Sequence, residues 1–121
     1  YGGSYNPDRK EAFNRLRTVD SLQEVLGLIE DETGRKPHTI ATDARVHPNT
    51  VSYRDMKDKI FNNEQVFLIL FGTGWGMDTG LMESCTYILE PVQGDASYNH
   101  LSVRSAVSII IDRLLGEYWF N

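Results

Sequence analysis

The stretch Gln65-Val66-Phe67-Leu68-Ile69-Leu70-Phe71-Gly72-Thr73-Gly74-Trp75-Gly76 decides the fold. Its first seven residues form an almost unbroken apolar run. The run is too short for a helix, and it lacks the polar and apolar alternation of a sheet face open to water. Such a run predicts a strand buried on both faces, at the middle of a parallel sheet. Glycines at 72, 74 and 76 follow at once, where bare backbone lets a ligand come close and offers it main-chain donors and acceptors. A tight strand-to-helix connection needs neither three glycines nor Trp75, so the cluster reads as a ligand loop. It is not a dinucleotide fingerprint, because Met77 stands where G-x-G-x-x-G requires glycine. It is not a phosphate loop either, because Gly-Lys-Ser/Thr is absent.

Downstream, a helix is expected from about Asp78 to Ser84 and a short strand from Thr86 to Leu89, stopped by Pro91. Upstream, His38 to Ala41 reads as a strand and Asp43 to Val51 as a loop carrying Pro48 and Asn49. Ser52-Tyr53-Arg54-Asp55 opens a helix running to about Phe61. A further helix is expected over about 21 to 33. Asp20 or Ser21 would cap it, Gln23 or Glu24 would return a hydrogen bond, and Gly34 and Pro37 would end it. Its apolar residues, Leu22, Val25, Leu26, Leu28 and Ile29, fall close to helical spacing. Pro7 and Asp8 suit the first turn of one more helix, to about Leu16. Helix and strand therefore alternate, which predicts an α/β fold with a parallel sheet and functional loops at the carboxyl ends of its strands.

The last helix, about His100 to Leu115, carries Val103, Ala106, Val107, Ile109, Ile110, Ile111, Leu114 and Leu115 around much of its circumference. That pattern predicts a buried helix. A three-stranded sheet covers only one of its faces, so the other is expected to meet a second subunit. The polar segment before it holds Asn99, His100, Ser102 and Arg104. Asn99 could cap the helix, but capping alone does not need all four.

At 121 residues the chain has room for one domain, 1–121. With 40% hydrophobic and 24% charged residues it has the composition of a packed chain. No apolar run approaches the roughly 20 residues that cross a bilayer. A single cysteine, Cys85, makes no internal disulfide, which fits a reducing compartment and makes the cytoplasm the expected location. Its simplest role is that of a small buried hydrophobe. His38, His47 and His100 lack metal-ligand spacing, and no metal is expected. The net charge of −5 excludes whole-surface nucleic-acid binding, so any RNA contact is local. The one basic stretch is Arg9, Lys10, Arg15 and Arg17, readable as a solvated helix face or as a phosphate-contacting arm. The opening Tyr1-Gly2-Gly3-Ser4 has no signal-peptide pattern and reads as an internal start, a fragment or a processed chain.

Three segments carry a family resemblance. Residues Phe67 to Gly76, then Tyr87-Ile88-Leu89-Glu90-Pro91, then Tyr98-Asn99-His100-Leu101-Ser102-Val103-Arg104-Ser105-Ala106 resemble the second and third motifs of SPOUT-class RNA methyltransferases. More narrowly, they are similar to a bacterial group of S-adenosylmethionine (SAM)-dependent RNA methyltransferases related to the tRNA guanine-N1 enzymes. Tyr5-Asn6-Pro7-Asp8-Arg9 and Ala41-Thr42-Asp43-Ala44-Arg45 fit the same group, so the resemblance spans nearly the whole chain.

The resemblance implies a parallel α/β sheet with a C-terminal trefoil knot, an exception to the rule that chains do not thread loops. It implies SAM as cofactor, tRNA or rRNA as substrate, and a homodimer packed through the last helix. Thr42, Gly72, Gly74, Trp75, Gly76, Leu89, Glu90, Asn99, Leu101 and Ser102 would line the cofactor pocket. The family's first strand-helix-strand portion, with its Asn- and Arg-bearing motif, is expected to precede the residues seen here, leaving this chain an N-terminally incomplete domain. Methyl transfer is chiefly alignment of acceptor and methyl group, with a base needed only for a poor nucleophile. Asp43, Glu90 and His100 are candidate bases, and Arg45 or Arg104 could hold RNA phosphate or polarise the acceptor. Each also has an ordinary role open to it: Asp43 as a loop cap, His100 as a first-turn helix residue, Arg104 as an ion-pair partner. Two rival readings stand beside this one. One is a non-catalytic dimeric ligand-binding fragment, distinguished by the absence of that first motif upstream. The other is a small nucleotide-binding α/β enzyme, which ATP or NAD but not SAM would stabilise. Gly74→Val is expected to abolish cofactor binding by filling space that only bare backbone leaves open; unchanged affinity in a calorimetric titration would refute the pocket.

Overall fold

The computed structural model describes residues 15–45, 47–72, 77–92 and 102–117. The chain divides into two compact units, residues 1–34 and 35–121. In the first, helix α1 spans Leu22–Thr33. Ser21 caps it, its Oγ accepting from the Glu24 N–H at 3.2 Å, and the Glu24 carboxylate returns to the Asp20 N–H at 3.1 Å. This is the expected reciprocal cap, shifted back by one residue on its second arm. Gly34 ends the helix at φ 72°, a left-handed conformation that glycine adopts without a Cβ clash. Arg17 pairs with Glu32 at 2.8 Å across an exposed surface, which engages one of the four cations of the basic stretch. Of the helix expected over residues 7–16, only Arg15 and Leu16 are described, and neither is helical.

The second unit holds strands β1 (His38–Ala41), β2 (Thr50–Val51), β3 (Phe67–Leu70) and β4 (Tyr87–Leu89), with helices α2 (Tyr53–Asn62), α3 (Thr79–Ser84) and α4 (Val103–Leu115). The strands form one all-parallel sheet in the order β2-β4-β1-β3. Ile40 lies opposite Ile69 on one side and Tyr87 on the other. Side chains alternate between faces. Ile40, Phe67, Ile69, Phe71, Tyr87 and Leu89 therefore share one face, packed with Tyr53, Met56 and Ile60 of α2 and with Ile110 and Leu114 of α4. Ala41, Leu70 and Ile88 face the other way, onto Met77, Leu81, Met82 and Cys85. Thr39 and Thr86 extend the β1–β4 pairing, each hydroxyl accepting the other's backbone N–H at 3.0–3.2 Å.

Three sequence expectations are corrected. The apolar run 65–71 does have neighbours on both faces, but β3 is an edge strand of the described sheet and its residues are half-buried. The interior strand is β1, whose Ile40 and Ala41 are fully buried. Its polar first residues, His38 and Thr39, mask that position in the sequence. The sheet has four strands rather than three, because two residues inside the expected loop, Thr50 and Val51, pair with β4; a two-residue strand has no periodicity to detect. Helix α4 buries one face within the chain, as expected of a helix that the sheet covers on one side, and only its cap differs from expectation. Ile110 and Leu114 are enclosed, while Val103 and Leu115 are 40% and 50% exposed. Ser102 caps it rather than Asn99, its Oγ accepting from the Ser105 N–H at 3.2 Å. Among the described residues no helix is long and apolar enough to cross a membrane.

Candidate functional site

Because all four strands are parallel, their carboxyl ends lie along one edge of the sheet. Thr42 and Asp43 leave β1 there, Phe71 and Gly72 leave β3, Glu90 leaves β4, and Ser52 and Tyr53 leave β2. Open α/β sheets bind ligands at such an edge.

Thr42 is 8% exposed, and its hydroxyl donates to the Leu70 carbonyl at 2.7 Å, tying the ends of β1 and β3. Leu89 is 1% exposed, with its side chain in the core and its main chain between β1 and β2, so the residue as a whole is enclosed at the end of β4. Glu90 is fixed twice, its N–H donating to the Val51 carbonyl and its Oε1 accepting from the Tyr53 N–H, both at 3.0 Å. A carboxylate at the first N–H groups of α2 also complements the helix dipole. Tyr53 lies beneath, with the Arg113 guanidinium 4.9 Å from its ring centre. Burial pushes the Tyr53 phenol up to about 12; the Glu90 charge adds to that and Arg113 opposes it. It stays neutral at physiological pH.

The densest polar cluster follows β1. The Asp43 side chain is 4% exposed. Its Oδ1 accepts from the Ala44 N–H at 2.9 Å, and its Oδ2 accepts from Arg45 Nε at 2.6 Å and His47 Nε2 at 2.9 Å. Arg45 reaches onward to the Met77 carbonyl at 3.1 Å and the Met82 sulfur at 3.9 Å, joining the β1 loop to the segment that enters α3. Burial alone would raise the Asp43 carboxyl. The bonds from His47 and Arg45, the Arg45 charge and the Ala44 N–H more than reverse it and hold the group below the usual aspartate range. A depressed folded-state pKa contributes stability that is full above the unfolded value of about 3.9 and is lost as pH falls through the lower folded value. Asp43→Asn is therefore expected to flatten the acid limb of stability below about pH 4. Urea unfolding at stepped pH checks this; an unchanged limb would assign acid sensitivity to other carboxylates.

The structure brings Thr42, Asp43, Arg45, Gly72, Leu89 and Glu90 to one sheet edge. Ser102 is an exposed helix cap, and its hydroxyl also lies 3.0 Å from that of Ser105. Arg104 is exposed on α4, without an ion pair to any described residue. Gly74, Trp75, Gly76, Asn99, His100 and Leu101 lie outside the described residues. Cys85 is half-buried against the second core cluster, as a small hydrophobe. Among the described residues no group of three or more His, Cys, Asp or Glu side chains could hold a metal ion. Sequence reasoning missed His47. The available signal was its spacing, four residues beyond Asp43 across a Pro-bounded loop.

Residues 1–116 match the family described as SAM-dependent RNA methyltransferase. The chain belongs to that family. It is 47% identical over 116 residues to an uncharacterized protein of Aquifex aeolicus, covering 96% of this chain and 57% of the relative. It is 41% and 40% identical to tRNA (guanine-N(1)-)-methyltransferases of Oleidesulfovibrio alaskensis and Nitratidesulfovibrio vulgaris, covering 96% of this chain and 27% of each relative. The family member described here thus spans about half of one relative and about a quarter of the other two. Its fold is similar to that of a probable methylase family protein from Haemophilus influenzae, with a TM-score of 0.65 at 21% identity over 84% of this chain and 42% of that one.

Proposed function

We propose that this chain supplies the cofactor pocket and the subunit interface of a SAM-dependent methyltransferase acting on tRNA or rRNA, within one SPOUT-like domain whose C-terminal part forms a trefoil knot. The observation that carries the reading is the sheet edge where Thr42-Asp43, Phe71-Gly72 and Leu89-Glu90 leave three adjacent parallel strands, in a chain of this family.

The donor set fits a nucleoside. It combines main chain at the partly exposed Gly72 with one carboxylate oxygen, Glu90 Oε2, that accepts no hydrogen bond among the described residues. Ribose hydroxyls and ring nitrogens suit such partners. A polyphosphate does not, because the one arginine among the residues just past these strand ends, Arg45, is taken up by Asp43 and the Met77 carbonyl. This speaks against the ATP or NAD reading. SAM, when bound, supplies an electrophilic methyl group on a sulfonium. The chain's own part is to orient: Thr42 fixes the β1 and β3 ends, and Glu90 fixes the β4 end against α2. The glycine-rich loop, Asn99, Leu101 and Ser102 would complete the pocket. The exposed apolar residues Val103 and Leu115 of α4 are consistent with a homodimer packed through this helix, and a cytoplasmic location suits an RNA substrate.

Isothermal titration with SAM and S-adenosylhomocysteine, with ATP and NAD as controls, tests the reading. Selective binding near one site per chain is expected. A folded chain that binds none of the four overturns the pocket and leaves a scaffold for assembly.

A further inference from the structure

Resting on the methyl-transfer reading, we propose that His47 is the group that takes the proton from the RNA atom being methylated, with Asp43 as its positioning residue. The acceptor then belongs to the class that carries a proton, a ring N–H or a hydroxyl, and not to the class with a free lone pair.

Asp43 itself is a poor base. Both its oxygens are engaged, its side chain is 4% exposed, and its three partners stabilise the ionised form. An ionised carboxylate only accepts hydrogen bonds. The 2.9 Å contact to Asp43 Oδ2 therefore requires the proton on His47 Nε2. In the neutral ring that leaves Nδ1 as a lone pair, and Nδ1 takes no hydrogen bond among the described residues. The ring is 19% exposed, enclosed enough to be held and open enough to be reached. A carboxylate that fixes the tautomer and stabilises the imidazolium is the arrangement that makes histidine an effective base. Arg45 shares the same Asp43 oxygen and braces the carboxylate against the Met77 carbonyl.

The step balances. The acceptor's electron pair forms the new bond to the methyl group, and the carbon–sulfur bond of SAM breaks with its electrons staying on sulfur. The acceptor's proton passes to His47 Nδ1 and then to water.

Two measurements on the whole protein that carries this chain test the assignment. Nitrogen-15 NMR of the His47 ring is expected to show the neutral form protonated at Nε2; a ring protonated at Nδ1 overturns the proposal whether or not an RNA substrate is in hand. Single-turnover methylation of a pool of in vitro transcribed tRNAs and rRNA fragments should fall about 10²–10⁴-fold in His47→Gln, the range for losing a general base, with SAM affinity unchanged by titration. An unchanged rate overturns the proposal. So does a rate loss matched by lost SAM affinity, which would make His47 part of the pocket. If the wild-type protein binds SAM yet methylates no RNA in the pool, the methyl-transfer reading fails and this proposal falls with it; the separate failures are told apart by whether the wild type turns over.

Discussion

Leu114→Ala is expected to lower the unfolding free energy by about 2–5 kcal/mol, the range for truncating a fully buried leucine. Leu114 is 0% exposed and lies in the cluster formed by Ile40, Tyr53, Met56, Leu89 and Ile110. It joins α4 to the sheet face that α2 also covers, so removing its side chain opens a cavity among three elements at once. Against a total stability of about 5–15 kcal/mol for a typical domain, that loss is large. Phe61→Ala is the control. Phe61 is 60% exposed on α2, with Lys57 Nζ 5.7 Å from its ring centre. Its truncation should cost under about 1 kcal/mol, since a cation over an exposed ring is worth only about 0.5–1. Urea unfolding of both variants measures the contrast. Equal losses would mean that Leu114 does not sit in the enclosed core.

The same residues show what the sequence made legible. Strand positions 38–41, 67–70 and 87–89, the helix over 53–62 and the cap at Ser21 follow from local chemistry, because apolar runs, N-cap hydroxyls and Gly34 act over a few residues. Sheet order is not local. The run around Ile69 and the quieter His38-Thr39-Ile40-Ala41 differ in how apolar they look, yet the quieter one is interior, because its neighbours come from residues 67–70 and 87–89. The apolar circumference of α4 was legible, and so was the covering of one face by the sheet; which residues turn inward, Ile110 and Leu114, was not, since composition cannot say which apolar face finds a partner within the chain. At the site, Thr42, Gly72 and Glu90 were placed by resemblance, and the structure adds the physical role of each strand end. Asp43 was legible as a carboxylate after a strand. That Arg45 and His47 both donate to its Oδ2 depends on how the loop folds back.

Glu90→Gln separates the structural role of Glu90 from its proposed one. The glutamine keeps a carbonyl oxygen for the Tyr53 N–H that Glu90 Oε1 now holds at 3.0 Å, so α2 stays anchored and only the favourable charge at its first turn is lost, about 0.3–1 kcal/mol. At the position of Oε2, however, an acceptor is replaced by an NH2 donor. If Oε2 receives a cofactor hydroxyl, the variant loses a hydrogen bond to a charged group, worth about 1.5–3 kcal/mol. At 1.4 kcal/mol per tenfold, the Kd for SAM should rise about 10–100-fold, while the thermal midpoint moves by only a few degrees. Titration calorimetry and a melting curve on one sample read both quantities. A large stability loss with unchanged affinity would assign Glu90 to the fold alone and move the ribose contact elsewhere on the sheet edge. Glu90→Ala removes both functions and should lose stability as well as affinity, so the pair of variants distinguishes a carboxylate that holds the helix from one that also holds the ligand.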